Sequence, residues 1–106
     1  MLLLKPGVRV AGLRPEILLA VVAAERVFAE AHVDLMLTSC VEGRHSQASL
    51  HYAGQAVDLR TRDVVPADRA KLVARLRECV GEDYDVVLEA DHIHLEYQPK
   101  RSLSNA

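Results

Sequence analysis

Residues 92–97, His-Ile-His-Leu-Glu-Tyr, alternate between polar and apolar side chains at every position. Such alternation is typical of a β-strand with one buried face, because successive side chains of a strand point to opposite sides of the sheet. Residues 55–60, Gln-Ala-Val-Asp-Leu-Arg, place Val57 and Leu59 on one face and Ala56, Asp58 and Arg60 on the other. The shared pattern predicts a sheet with an apolar face on a core and a polar face that carries Asp58, His92 and His94.

Two amphipathic helices are predicted to cover the apolar face of that sheet. Residues 15–31 repeat apolar side chains at helical spacing and begin with Pro15, which suits a first helical turn because it has no N–H to leave unpaired. A second helix is predicted over 67–79, with Gly81 placed to end it. Apolar runs predict two more strands, at 35–37 and 84–88, and the polar stretch 40–52 is predicted to be a loop.

These elements predict an α+β fold, in which a small antiparallel or mixed sheet has helices packed on one face and the candidate site on the other. The chain has 106 residues and no repeat or linker-like segment. We therefore expect a single domain over residues 1–106, with a frayed polar tail at 99–106.

Composition excludes several classes of function. The 13 basic and 15 acidic residues leave a net charge of −2, so a strongly basic surface for nucleic acid is not expected. The apolar runs are too short for membrane insertion or for the core of a signal peptide, so we expect a protein that stays cytoplasmic until it is released. We also expect a monomer. Cys40 and Cys79 lack metal-ligand spacing and are predicted to be thiols.

Two histidines and one carboxylate form a candidate metal centre. Asp58 follows His51 by seven residues across a turn that contains Gly54, and His94 lies on the predicted neighbouring strand. Three protein ligands that leave a fourth position for water are typical of catalytic zinc, which lowers the pKa of its water toward about 7. The same ligand set also describes Fe(II) oxygenases, but the long spacing from His51 to Asp58 and the short chain favour zinc.

Hydrolysis at such a centre also needs a proton acceptor, and two carboxylates are candidates. Asp91 lies three residues before His94, and Glu89 lies five before it. Arg44, His45 and the pair Arg60 and Arg62 are candidate donors to a developing oxyanion or to a substrate carboxylate.

Residues 49–58, Ser-Leu-His-Tyr-Ala-Gly-Gln-Ala-Val-Asp, resemble the SxHxxGxAxD signature of a group of zinc proteins. The group contains the D-Ala-D-Ala carboxypeptidases and dipeptidases, the phage L-alanyl-D-glutamate endolysins and the Hedgehog signalling domain. The segment Asp91-His92-Ile93-His94 resembles the second half of that signature. The resemblance implies that His51, Asp58 and His94 bind Zn²⁺ and that Asp91 is the general base.

Other residues match the family less closely. Arg44 resembles the arginine with which the peptidases hold substrate or polarise the scissile carbonyl, although the usual Ser-Gly-Tyr-Arg spacing is replaced here. His45 and His92 are similar in spacing to histidines that flank the zinc site of Hedgehog, which implies that they hydrogen-bond the metal-bound water or stabilise the tetrahedral intermediate. The acid of Hedgehog lies six residues before the last ligand, so Glu89 remains an alternative base.

The resemblance implies a zinc metallopeptidase that hydrolyses peptidoglycan stem peptides, as a D,D-carboxypeptidase or an L-Ala-D-Glu endopeptidase. Such an enzyme without a signal peptide fits a phage or prophage endolysin that acts at the cell wall. The alternative is a Hedgehog-like, non-catalytic zinc-binding interaction module. Only 4% of the residues are aromatic, which disfavours a stacking platform for bases or sugars and favours a peptide substrate.

Overall fold

Five strands form one mixed sheet in the order β1-β2-β3-β5-β4. The computed structural model describes residues 1–41 and 54–100, so most of the predicted loop and the end of the predicted tail lie outside the described residues. The elements, in chain order, are β1 (Leu2–Leu4), α1 (Pro15–Glu30), β2 (Leu35–Ser39), β3 (Ala56–Arg60), a short 3-10 turn (Pro66–Asp68), α2 (Arg69–Val80), β4 (Tyr84–Leu88) and β5 (His92–Tyr97).

The two helices pack on one face of the sheet and the core lies between these layers. Val57 and Leu59 of β3 and Ile93 and Leu95 of β5 are fully buried there, each with 0% of its surface exposed. These are the apolar positions of the two alternating stretches. The predicted α+β class, with one apolar and one polar sheet face, is therefore confirmed.

The strand β1 was not predicted from the sequence. It pairs with β2 in parallel, with Leu2 opposite Leu35, whereas the other neighbouring strands are antiparallel. The amino group of Met1 lies 3.2 Å from Glu25 and 3.3 Å from Asp34, which fixes the start of the chain beside α1 and β2. The predicted mixed sheet thus has its parallel pair at this edge.

Backbone geometry explains where the helices end. After α1, His32 has a positive φ of 60°, its N–H donates to Ala29, and the N–H of Val33 donates to Phe28. This is the Schellman arrangement, which pairs the last carbonyls of a helix. His32 therefore helps to terminate α1. Gly81 ends α2 as predicted, with a φ of 87°.

The two cysteines are thiols, as predicted, with Cys40 buried in the core and Cys79 exposed on α2. Across residues 1–41 and 54–100, neither helix has the length and apolar character that a membrane span requires.

Candidate metal centre

Asp58 and His94 meet on the polar face of the sheet. They are direct cross-strand partners on β3 and β5. Oδ1 of Asp58 lies 3.0 Å from Nδ1 of His94, and the two side chains are only 16% and 22% exposed. Two of the three predicted metal ligands are thus brought together by strand register.

The residues of the signature that precede Asp58 fix the entry to β3. Gly54 has a φ of +73°, and a Cβ at this position would collide with the backbone carbonyl of Gly12. The N–H of Arg14 donates to the carbonyl of Gly54 at 2.9 Å, so the chain before α1 packs directly on this turn. Ala56 is fully buried. The glycine and alanine of the signature therefore have structural roles at the entry to the strand that carries Asp58.

The second ring nitrogen of His94 contacts a carboxylate that sequence reasoning missed. Oε1 of Glu96 lies 2.9 Å from Nε2 of His94, and Glu96 is 18% exposed. Because each ring nitrogen of His94 lies within hydrogen-bond distance of a carboxylate, the protonated form of this imidazole is favoured. The hydrogen bond to Asp58 raises the pKa of His94 above its ordinary value of 6.5, with burial opposing and Glu96 adding to the shift. The alternation of residues 92–97 places Glu96 on the same face as His94, and this pattern is the only sequence signal for the contact.

A second pair lies beside the first. Nδ1 of His92 is 2.7 Å from Oδ1 of Asp91, and Nε2 of His92 is 3.7 Å from Oδ1 of Asp58. The hydrogen bond from His92 lowers the pKa of Asp91, whose side chain is 89% exposed. An ionised carboxylate only accepts hydrogen bonds, so Nδ1 of His92 carries the shared proton and Nε2 faces Asp58.

An open cleft of about 460 Å³ runs across the polar face beside these pairs. Its described lining comes from three strands, β2, β3 and β5, and from segments that follow β1, β3 and β4, and it comprises Lys5, Thr38, Ser39, Asp58, Arg60, Arg62, Asp91 and His92. Glu89 is exposed in the β4–β5 hairpin, where its N–H donates to the carbonyl of His92, and it is not among the lining residues. Of the two candidate bases, Asp91 is the one on this cleft.

Three of the predicted site residues, Arg44, His45 and His51, lie outside the described residues. Within the described ranges, no three His, Cys, Asp or Glu side chains are arranged as metal ligands. The pair that is described nevertheless fits zinc. It offers one carboxylate oxygen and one imidazole nitrogen that face each other, and the other nitrogen is held by a carboxylate, as is usual for histidines that bind zinc.

The fold and these pairs define an α+β domain with a candidate zinc centre on the exposed face of its sheet. The family model of the Hedgehog amino-terminal signalling domain matches residues 16–96, from the first turn of α1 to the penultimate residue of β5. The chain belongs to this family, which is part of the Hedgehog/DD-peptidase superfamily.

Proposed function

We propose that this protein is a zinc-dependent hydrolase that cleaves amide bonds in the stem peptides of peptidoglycan. The observation that carries the proposal is the Asp91–His92 pair, which lies on an open cleft and directs Nε2 of His92 toward Asp58, 3.7 Å away. A purely structural zinc site has four protein ligands and needs no acid–base pair beside it.

His51, Asp58 and His94 would hold the zinc. When bound, zinc would supply a Lewis acid and would lower the pKa of water from about 15.7 to about 7. Glu96 accepts the Nε2 proton of His94 at 2.9 Å, which leaves Nδ1 as the nitrogen that faces Asp58. Glu96 thereby fixes both the orientation and the tautomer of His94 in the liganded state.

The Asp91–His92 pair would move the proton. Asp91 orients the ring of His92 and keeps the proton on Nδ1, so that Nε2 accepts a proton in the cleft and returns it to the leaving amine. This assignment keeps Asp91 in the acid–base unit, where the resemblance implies that it is the base itself, and it gives His92, which the resemblance places beside the zinc site, the role of the group that faces Asp58.

The family match favours a second candidate function, a zinc-binding interaction module without turnover. The matching model describes a signalling domain, and a zinc centre in such a domain stabilises the fold or a partner surface. The two candidates differ in what Asp91 does. It is needed for turnover in the first and is dispensable in the second.

Digestion of purified muropeptides by the zinc-loaded protein, followed by mass spectrometry, tests the proposal. We expect cleavage of either the D-Ala-D-Ala or the L-Ala-D-Glu bond, loss of cleavage in Asp91→Asn, and unchanged zinc content in that variant. Glu89→Gln is the matched control, because it removes an exposed carboxylate from the same hairpin. A zinc-loaded protein that leaves every stem peptide intact would support the interaction module instead.

A further inference from the structure

The strand β1 forms one edge of the sheet, and its outer side has no neighbouring strand among residues 1–41 and 54–100. The carbonyl of Met1 and the N–H of Lys5 both bond to β2. Since the main-chain groups of successive residues in a strand point to opposite sides, the N–H and C=O of Leu2 and Leu4 point away from β2. Such a row of outward donors and acceptors is a template for another strand.

The opposite edge of the sheet is blocked near its centre. Arg77, in the last turn of α2, donates from Nε and Nη2 to the carbonyl of Val86 on β4, at 3.2 and 2.7 Å. A strand that added to β4 would have to displace this guanidinium. Since only β1 offers an open edge, pairing between copies of the chain would stop at two and would not continue into a fibre.

Apolar side chains surround the outer side of β1. Leu2 and Leu4 are exposed, although they lie on the face of the sheet that carries the helices, next to buried residues of β2. Leu18 and Val22 of α1 are also exposed, and they share one side of the helix with Glu25, which contacts the amino group at the start of the chain. The apolar surface therefore continues from β1 onto the side of α1 that faces this edge, as is typical of an interaction site.

The outer side of β1 is complementary to itself. When two copies of the strand run antiparallel about a two-fold axis at Leu3, Leu2 of each copy lies opposite Leu4 of the other. Each of these pairs then exchanges both of its N–H···O bonds, so every outward main-chain group of the two residues is used. The exposed leucines of both copies also meet on one face, where their burial stabilises the pair.

The charges at the two ends of β1 favour the antiparallel arrangement. In it, Lys5 of one copy lies opposite Met1 of the other. The amino group of Met1 is flanked by Glu25 and Asp34, at 3.2 and 3.3 Å, so two carboxylates share one positive charge. The ammonium group of Lys5 balances the second carboxylate across the interface. A parallel pair would instead place Lys5 beside Lys5.

We propose that this protein forms a symmetric dimer in which the β1 strands of two copies pair antiparallel and join the two sheets into one. The two-fold axis is perpendicular to the joined sheet, so both polar faces, with their clefts, lie on the same side. The dimer does not depend on the proposed hydrolysis, and it differs from the monomer expected from the sequence.

Sedimentation equilibrium of the wild-type protein and two variants tests the dimer. We expect the mass to rise from 11.7 kDa to twice that value between about 1 μM and about 1 mM protein, because a short strand pair is a small interface. Leu4→Lys puts a charge on the paired surface and should raise the dissociation constant about tenfold or more. Leu88→Lys is the matched control, since Leu88 is a leucine of the opposite edge strand with 40% of its surface exposed, against 47% for Leu4. It should dimerise like the wild type.

Amide hydrogen exchange of the wild-type protein shows whether the strands themselves pair. The outward N–H of Leu4 should exchange about tenfold more slowly when about 90% of the protein is dimeric, because only the monomer then exposes it. The N–H of Glu89 donates to His92 on β5, so that of Leu88 points away from the sheet and serves as the control amide. Its exchange rate should not change with concentration.

Three results would overturn the dimer. The first is a mass of 11.7 kDa at every concentration. The second is a folded Leu4→Lys protein, as judged by thermal melting, that dimerises as tightly as Leu88→Lys. The third is a dimer in which the amide of Leu4 exchanges as it does in the monomer, because the interface would then lie elsewhere. If Leu4→Lys does not fold, the exchange of the wild-type protein decides between these outcomes.

Discussion

At the scale of single residues, Glu96 decides which nitrogen of His94 is available to a metal. Its carboxylate holds Nε2 at 2.9 Å while Asp58 faces Nδ1 at 3.0 Å. We expect Glu96→Ala to weaken zinc binding about 10- to 100-fold, the usual cost of removing such a partner. Competition with a chromophoric chelator measures this affinity.

Glu96→Gln separates orientation from charge. The amide oxygen can still accept the Nε2 proton, so this variant should lose less zinc affinity than Glu96→Ala. Glu82→Ala, which removes an exposed acid outside the cleft, should leave the affinity unchanged. Equal zinc affinities in Glu96→Ala and in the wild type would show that Glu96 does not position His94.

Asp91 and His92 are expected to act as one unit. Because Asp91 holds Nδ1 of His92 at 2.7 Å, removal of either side chain should disable the same proton transfer. We expect Asp91→Asn and His92→Gln each to lower kcat about 10²- to 10⁴-fold, and the double variant to be no slower than the worse single variant. Steady-state kinetics on one muropeptide give the three values. Multiplicative losses would mean that the two residues act separately.

At the scale of elements, the turn into β3 depends on Gly54. Its φ of +73° and the nearby carbonyl of Gly12 leave no room for a side chain. We expect Gly54→Ala to lower the free energy of unfolding by about 3 kcal/mol or more, measured by urea denaturation.

Gly7→Ala is the control for that substitution. Gly7 has a φ of +91°, but a Cβ there would meet nothing within 4 Å. It therefore reports the cost of the backbone conformation alone, which is about 1–2 kcal/mol. Equal losses of stability in the two variants would show that the close approach to Gly12 contributes nothing.

Elements with local periodicity were predictable, whereas those defined by distant pairing were not. The alternation of β3 and β5 gave both faces of the sheet, and helical spacing gave α1 and α2. The strand β1 has only three residues, all leucine, so it shows no alternation. The position of β1 in the sheet depends on its pairing with Leu35 and the following residues of β2. These residues are distant in the sequence, so no local pattern indicates the pairing.

The candidate site also contains features that the sequence predicts and features that it does not. Strand parity predicted that Asp58 and His94 share a face, and the register between β3 and β5 brings them together. Strand parity also places Glu96 on that face, but its contact with Nε2 of His94 could not be predicted, since it depends on the orientation of the imidazole ring. Whether His51 completes the centre stays a prediction, because it lies outside the described residues.

At the scale of the whole molecule, the candidate metal centre links the protonation of His94 to folding. Without metal, the raised pKa of His94 adds stability that is fully present below its ordinary value of 6.5 and is lost as the pH rises through the higher, folded value. A metal ion on Nδ1 must displace the proton that His94 shares with Asp58. Zinc binding therefore becomes stronger over the same rise in pH, so the stabilisation that zinc adds grows while the stability of the metal-free protein falls.

Thermal melting with and without zinc, from below pH 6.5 to well above it, checks this linkage. The melting temperature of the chelator-treated protein should fall as the pH rises, and the increase caused by zinc should grow. At a zinc concentration of about 100 times Kd, ligand binding adds about 2.7 kcal/mol, which raises the melting temperature of a domain of this size by roughly 10–20 °C. His94→Gln should remove both trends, because it has neither the titrating ring nor the ligand nitrogen. A zinc-induced increase that is the same at every pH, or that persists in His94→Gln, would place the zinc at another site and leave the Asp58–His94 pair as a structural contact only.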